Sequence, residues 1–194
     1  MPETGPVLLA VNHSSFLDGP LLFGRVSRPV SFLVKAEAFA PAHGLASRIL
    51  LSGAQIPVRR YQLDPAPVRL ALAVLRSGGM IGIFPEGTRG DGTVRQARPG
   101  VGYLALKTGA AVVPVAVHGS ALMGSRRTLA RPKVTVHIGQ PQHFPAAAAT
   151  VPLSRGHWLA ATETIRQHLA ELVDATAPAT PPGPHGAMAP TKAQ

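Results

Sequence analysis

Two short stretches concentrate the residue types that move protons and hold anions. The first is Asn12-His13-Ser14-Ser15-Phe16-Leu17-Asp18-Gly19, in which four residues separate a histidine from an aspartate. A neutral imidazole accepts a proton near neutral pH, and a nearby carboxylate fixes its tautomer and stabilises the imidazolium. Taken alone, the pair also fits an aspartate helix cap beside a surface histidine. The second stretch is Phe84-Pro85-Glu86-Gly87-Thr88-Arg89. It offers a guanidinium fork suited to phosphate, a carboxylate, and a glycine that lets a ligand approach the backbone. Taken alone, it too has a plain reading, a turn with solvated charges.

The elements around these stretches decide between the readings. Val7-Leu8-Leu9-Ala10-Val11 is a continuous apolar run, as in a buried strand, and Pro20-Leu21-Leu22-Phe23 reads as the first turn of a helix reaching Val26. Gly19 or Asp18 is expected at the cap, with Pro20 at the first helical position. Further strands are expected at Val30–Val34, Ile56–Val58, Met80–Phe84, Ala111–Val117 and Val134–Ile138. Pro57 argues for an edge or a strand end. Helices are expected over His43–Leu51, from Asp64-Pro65 (cap, then first position) to the stop at Gly78-Gly79, and from Pro99 to Lys107 before Gly109. A final amphipathic helix follows Ser154, with Trp158, Ala161, Ile165, Leu169 and Leu172 on one face. Strand and helix alternate almost throughout. That predicts a single α/β domain over residues 1–174, with a largely parallel central sheet flanked by helices. The Pro- and Ala-rich stretch 175–194 is expected to be a disordered tail. In such a fold the turns after the strands share one end of the sheet. His13, Asp18, Lys35, Arg60, Glu86 and Arg89 all lie just after predicted strands.

Composition narrows the function. The 194 residues carry 19 Lys and Arg against 9 Asp and Glu, a net charge of +10. Such an excess points to an anionic partner: nucleic acid, an anionic membrane surface or a phosphorylated substrate. Nucleic acid is disfavoured by the lack of a long basic run, a recognition-helix pattern or an aromatic stacking platform. The chain has no cysteine, which excludes disulfides, thiolate catalysis and cysteine-ligated zinc. No metal is expected, because the other histidines do not pair with carboxylates at ligand spacing. His118 is a candidate to line the site. No apolar run reaches the roughly 20 residues of a membrane span. The abrupt start on a core strand hints at a missing upstream segment.

Asn12-His13-Ser14-Ser15-Phe16-Leu17-Asp18 and Phe84-Pro85-Glu86-Gly87-Thr88-Arg89 together closely resemble the glycerolipid acyltransferases, the lysophosphatidic acid acyltransferase group. Gly53-Ala54-Gln55-Ile56-Pro57-Val58-Arg59-Arg60 looks like that family's second motif, and Val112-Val113-Pro114-Val115-Ala116-Val117 like its fourth. The resemblance runs from about Val7 to about Pro141. It implies transfer of a fatty acyl group from a thioester, acyl-CoA or acyl carrier protein, to the free hydroxyl of lysophosphatidic acid or a related phospholipid. No cofactor is implied beyond that thioester co-substrate. It implies a peripheral protein on the cytoplasmic face of the cell membrane. By resemblance, His13 is the general base and Asp18 holds and charge-balances its ring. Arg89, Arg60 and Lys35 hold the acceptor's phosphate, and Glu86, Gly87 and Thr88 shape the acceptor pocket. Ser14 and Ser15 then read as turn-forming or hydrogen-bonding residues, since the acceptor itself brings the attacking hydroxyl. Backbone amides around Gly87 are expected to receive the oxyanion.

The chain departs from the family pattern in two places. Arg59 stands where the second motif commonly has an acidic residue, and the N-terminal hydrophobic helices of many members are missing. The competing readings are the same chemistry on another acceptor, such as glycerol 3-phosphate, another lysophospholipid or a lyso-aminolipid, and a non-catalytic lipid- or membrane-binding module. An intact His13 and Asp18 speak against the binding module.

Overall fold

The computed structural model describes residues 1–40, 44, 48, 50, 54–59, 64–122, 133–146 and 153–178. In chain order it contains β1 (Val7–Val11), α1 (Asp18–Phe23), β2 (Val30–Lys35), β3 (Ile56–Val58), α2 (Ala66–Arg76), β4 (Met80–Ile83), α3 (Gly100–Thr108), β5 (Ala111–His118), β6 (Thr135–Ile138) and α4 (Arg155–Ala175). The helix expected over His43–Leu51 falls mostly outside the described residues. So does the expected tail, from residue 179 onward.

The strands form one sheet in the order β3-β2-β4-β1-β5-β6. All neighbours run parallel except β5 and β6. β1 lies between β4 and β5, and all five of its residues are buried. This explains why it reads as an uninterrupted apolar run rather than an alternating one. β3 is an edge strand, so Pro57 costs no inner ladder bond. Pro114 lies inside β5, but its carbonyl accepts from Gly139 N–H at 2.8 Å. Its missing N–H therefore faces the β6 side, where ladder pairing begins only at Val115 with Ile138.

Right-handed crossovers distribute the helices. The chain leaves β1 toward β2 in one direction along the sheet. It returns from β3 to β4, and from β4 past β1 to β5, in the other. Accordingly α1 covers one face, where Leu22 joins Val7, Leu9, Val11, Val30, Phe32, Met80, Val113, Val115 and Val117. Helices α2, α3 and α4 cover the other through Leu72, Leu75, Leu104, Ile165 and Leu169, packed on Leu8, Ala10, Ile81 and Val112.

Three helix starts differ from expectation, each for a local reason. α1 begins at Asp18 with Leu17 at the cap, and no side chain caps it. The Asp18 carboxylate turns back to the amides of Ser14 and Ser15 instead. α2 begins at Ala66 with Pro65 at the cap. Asp64 accepts from Ala66 N–H at 2.9 Å, one position earlier than a cap residue would. α3 begins one residue late, at Gly100, and ends as expected at Gly109, whose φ of +63° suits a left-handed C-cap.

Gly82 in β4 is required by packing. A Cβ there would overlap the ring of Phe32, which is buried on the neighbouring strand. Gly82→Ala is expected to destabilise the fold by about 1–3 kcal/mol, read as a lower urea midpoint at unchanged slope.

Candidate functional site

The sheet order brings together the turns that follow β1, β4 and β5. Asp18 is the centre of the cluster and is fully buried. Its Oδ2 accepts from Ser14 N–H at 2.9 Å, from Ser15 N–H at 2.8 Å and from His13 Nδ1 at 3.0 Å. Its Oδ1 accepts from Ser120 Oγ at 2.5 Å. Burial alone would raise the Asp18 carboxyl. The bonds from His13, Ser120, Ser15 and Ser14 outweigh burial and hold it below its ordinary value of 3.8. An ionised carboxylate only accepts, so His13 carries its proton on Nδ1, and in the neutral ring Nε2 keeps its lone pair. Nε2 makes no hydrogen bond among the described residues, and the His13 side chain is 15% exposed.

The turn after β4 clamps the His13 peptide at both ends. Glu86 Oε1 accepts from His13 N–H at 2.9 Å, and Gly90 N–H donates to the His13 carbonyl at 2.9 Å. Burial pushes the Glu86 carboxyl above its ordinary value. The His13 amide and ring oppose that, while the charges of Asp91 and Asp18 add to it. Asn12 ties the same turns to β5. Its Nδ2 donates to the carbonyls of Gly92 and Val117, both at 3.1 Å, and its Oδ1 accepts from Val117 N–H at 2.8 Å. The ring of Phe84 stacks on His13 with centroids 4.1 Å apart, and Phe32 stacks behind Phe84 at 5.6 Å.

Of the residues singled out in the sequence, His13, Asp18 and Glu86 meet in one bonded cluster. Gly87 has φ +73° and forms the turn. Its N–H donates to Phe84 O at 3.0 Å, so it is not a free oxyanion donor. The amides of Thr88 and Arg89 beside it make no hydrogen bond among the described residues. Both side chains are exposed on the loop that clamps His13. Lys35 ends β2, at the same end of the sheet but separated from β1 by β4, and has no bond to the cluster. Arg60 lies outside the described residues. His118 does not join the cluster: its Nε2 is 2.9 Å from Thr176 Oγ1 at the end of α4, and its ring lies beside His137. Burial first, then the charge of His137, lowers its pKa.

Sequence reasoning missed Ser120, the clamp made by Asn12, and the Phe84 ring. Ser120 carried a usable signal, since it follows β5 just as His13 follows β1. Its hydroxyl gives its proton to Asp18 and accepts from Ser14 Oγ at 3.0 Å, so it links two of the converging turns.

A histidine oriented by a buried carboxylate, with Nε2 unengaged and exposed cations on the adjoining loop, is equipment for general-base chemistry on an anionic substrate. The chain belongs to the acyltransferase family, whose model, described as Acyltransferase, matches residues 1–118. It is 31% identical over 147 residues to the 1-acyl-sn-glycerol-3-phosphate acyltransferase LPAT1, chloroplastic, of Arabidopsis thaliana, an overlap covering 71% of this chain and 40% of that protein. It is 28% identical over 173 residues to the 1-acyl-sn-glycerol-3-phosphate acyltransferase of Bacillus subtilis, covering 89% of this chain and 83% of that one. The fold is similar to the crystal structure of the 1-acyl-sn-glycerophosphate (LPA) acyltransferase PlsC from Thermotoga maritima. There the TM-score is 0.60 and the identity 25%, covering 89% of this chain and 68% of that one. The chain thus spans well under half of the chloroplast relative and most of the bacterial one.

Ser120→Ala removes one of the Asp18 donors and is expected to cost about 1–3 kcal/mol of stability. The pH dependence gives a second readout. Because the folded Asp18 lies below 3.8, its contribution is present above that value and lost as pH falls through the folded one. Without Ser120 the folded value rises, so the acid limb of a melting-temperature profile moves to higher pH. An acid limb left in place would contradict this account.

Proposed function

We propose that this protein transfers a fatty acyl group from a thioester, acyl-CoA or acyl carrier protein, to the free hydroxyl of lysophosphatidic acid, giving phosphatidic acid. The observation that carries the reading is the His13–Asp18 pair: a ring fixed at Nδ1 by an ionised buried carboxylate, with Nε2 able to accept a proton. The acceptor is the one for which the similar proteins are named.

The acceptor's hydroxyl oxygen attacks the thioester carbonyl carbon as His13 Nε2 takes the hydroxyl proton. Asp18 stabilises the imidazolium across the Nδ1 bond, and the stacked Phe84 face adds a cation–π contribution. The tetrahedral intermediate places negative charge on the former carbonyl oxygen. The amides of Thr88 and Arg89, next to Gly87 and without a hydrogen bond among the described residues, receive that charge. Collapse expels the thiolate, which takes the proton from Nε2 and leaves the ester and the neutral histidine. Arg89 and Arg60 hold the acceptor's phosphate, with Lys35, at the same end of the sheet, as a further contact. Glu86 acts through the backbone of His13 rather than on the substrate.

A peripheral position on the cytoplasmic face of the cell membrane fits the net charge of +10. It also fits the exposed apolar Phe16, at 68%, and Leu122, at 52%, beside the catalytic turn. Each basic residue near an anionic leaflet contributes about 1 kcal/mol to such binding. Among the described residues no helix is long and apolar enough to cross a membrane.

With lysophosphatidic acid and a long-chain acyl thioester in detergent, His13→Ala is expected to lower kcat by roughly 10²–10⁴-fold. Equal turnover by the two proteins overturns the mechanism. Arg89→Ala should raise the acceptor KM more than it lowers kcat.

A further inference from the structure

The loop between β4 and α3 carries three arginines, and the structure sorts them. Arg95 is neutralised, its Nη2 lying 3.1 Å from Asp91 Oδ2. Glu86 is engaged by the His13 amide. Arg89 and Arg98 make no ion pair among the described residues. Arg98 is nine residues beyond Arg89 in sequence, yet it returns to the same turn. Its N–H donates to Pro85 O at 2.8 Å, which fixes its Cα beside the turn. Its side chain then crosses Gly87 so closely that a Cβ there would overlap Nε and Cδ. Gly87 is required by its positive φ, and its missing side chain also leaves room for Arg98 to lie across it.

A guanidinium has five donors and no acceptor. Arg98, with its backbone fixed at the turn, its side chain exposed and, among the described residues, no carboxylate partner, keeps those donors for an anion. Glu86 and Gly90, on either side of this crossing, are the two residues bonded to the His13 peptide. The backbone of Arg98, through Pro85, is therefore anchored on the turn that holds the residue that would accept the hydroxyl proton.

Resting on the acyl-transfer reading above, we propose that Arg98 is a second arm of the acceptor site. It binds the phosphate monoester of lysophosphatidic acid from across Gly87, opposite Arg89, and sets the preference for a phosphorylated acceptor.

The test is steady-state kinetics in neutral detergent micelles, with lysophosphatidic acid or the monoacylglycerol of the same chain as acceptor. Arg98→Ala is expected to raise the lysophosphatidic acid KM by roughly 10- to 100-fold, the scale of one or two charge-assisted hydrogen bonds, and to narrow the preference over monoacylglycerol accordingly. Arg98→Lys should recover part of the loss, keeping the charge without the fork. An unchanged KM in Arg98→Ala, beside a raised one in Arg89→Ala, overturns the assignment and leaves the acyl-transfer reading standing. A rise in the thioester KM instead assigns Arg98 to the donor's phosphates and also overturns it. So does a defect that appears only on anionic vesicles, which would make Arg98 a membrane contact. If the wild type itself does not turn over lysophosphatidic acid, the acyl-transfer reading has failed. Equilibrium binding of lysophosphatidic acid in the same micelles then decides for Arg98 alone: weaker binding by Arg98→Ala supports the arm, and equal binding removes it.

Discussion

A carboxylate taken wholly out of water is the constraint on which the rest of this site depends. Asp18 has no exposed surface, and an ionised group there is tolerable only if its lone pairs are met by donors. Four groups meet them: the ring of His13, the amides of Ser14 and Ser15, and the hydroxyl of Ser120. Satisfying that charge dictates the path of the turn after β1, the start of α1 and the approach of the turn after β5. The orientation of the histidine is a by-product of the same demand. The imidazole takes its place because the carboxylate needs a donor there, and Phe84 limits its tilt from the other side.

A second layer works on the backbone rather than on side chains. Glu86 and Gly90 hold the two polar groups of the His13 peptide, and Asn12 pins the preceding residue to β5 and to Gly92. The loop bearing the exposed arginines and the turn bearing the histidine are thereby one piece. Rigid elements on both sides keep a proton acceptor and an anion site in fixed relation, the arrangement that a reaction between two bound substrates demands.

Much of the fold was legible because a parallel sheet buries whole strands. Val7–Val11 and Ala111–Val117 stand out as unbroken apolar runs, and the alternation of elements gave the layer type. The His13–Asp18 pairing was legible from spacing on a single turn. The neighbours of that pair were not. Ser120 lies 102 positions from Asp18. Nothing in a local pattern states that β1 lies between β4 and β5 rather than next to β2, so which strand ends converge could not be read. The misplaced cap of α1 has the same origin. A cap rule treats Asp18 as serving its own helix, whereas in the folded chain it serves the turn before it. Gly87 was read as the place where a ligand approaches the backbone, while in the folded chain its missing side chain also gives Arg98 a path.

The central place of β1 has a consequence for how the protein comes to exist. Val7–Val11 is made well before β4 and β5, its two neighbours in the sheet. During synthesis it is an uncharged, fully apolar segment with both edges open until β4 has emerged and one edge open until residues near 118 have followed. That is the profile of a chaperone client and of an aggregation-prone intermediate. Because the turn that carries His13 is completed by bonds to the ends of β4 and β5, the assembled site and the closed sheet are products of one late event. Partly folded chains would therefore have no partial site.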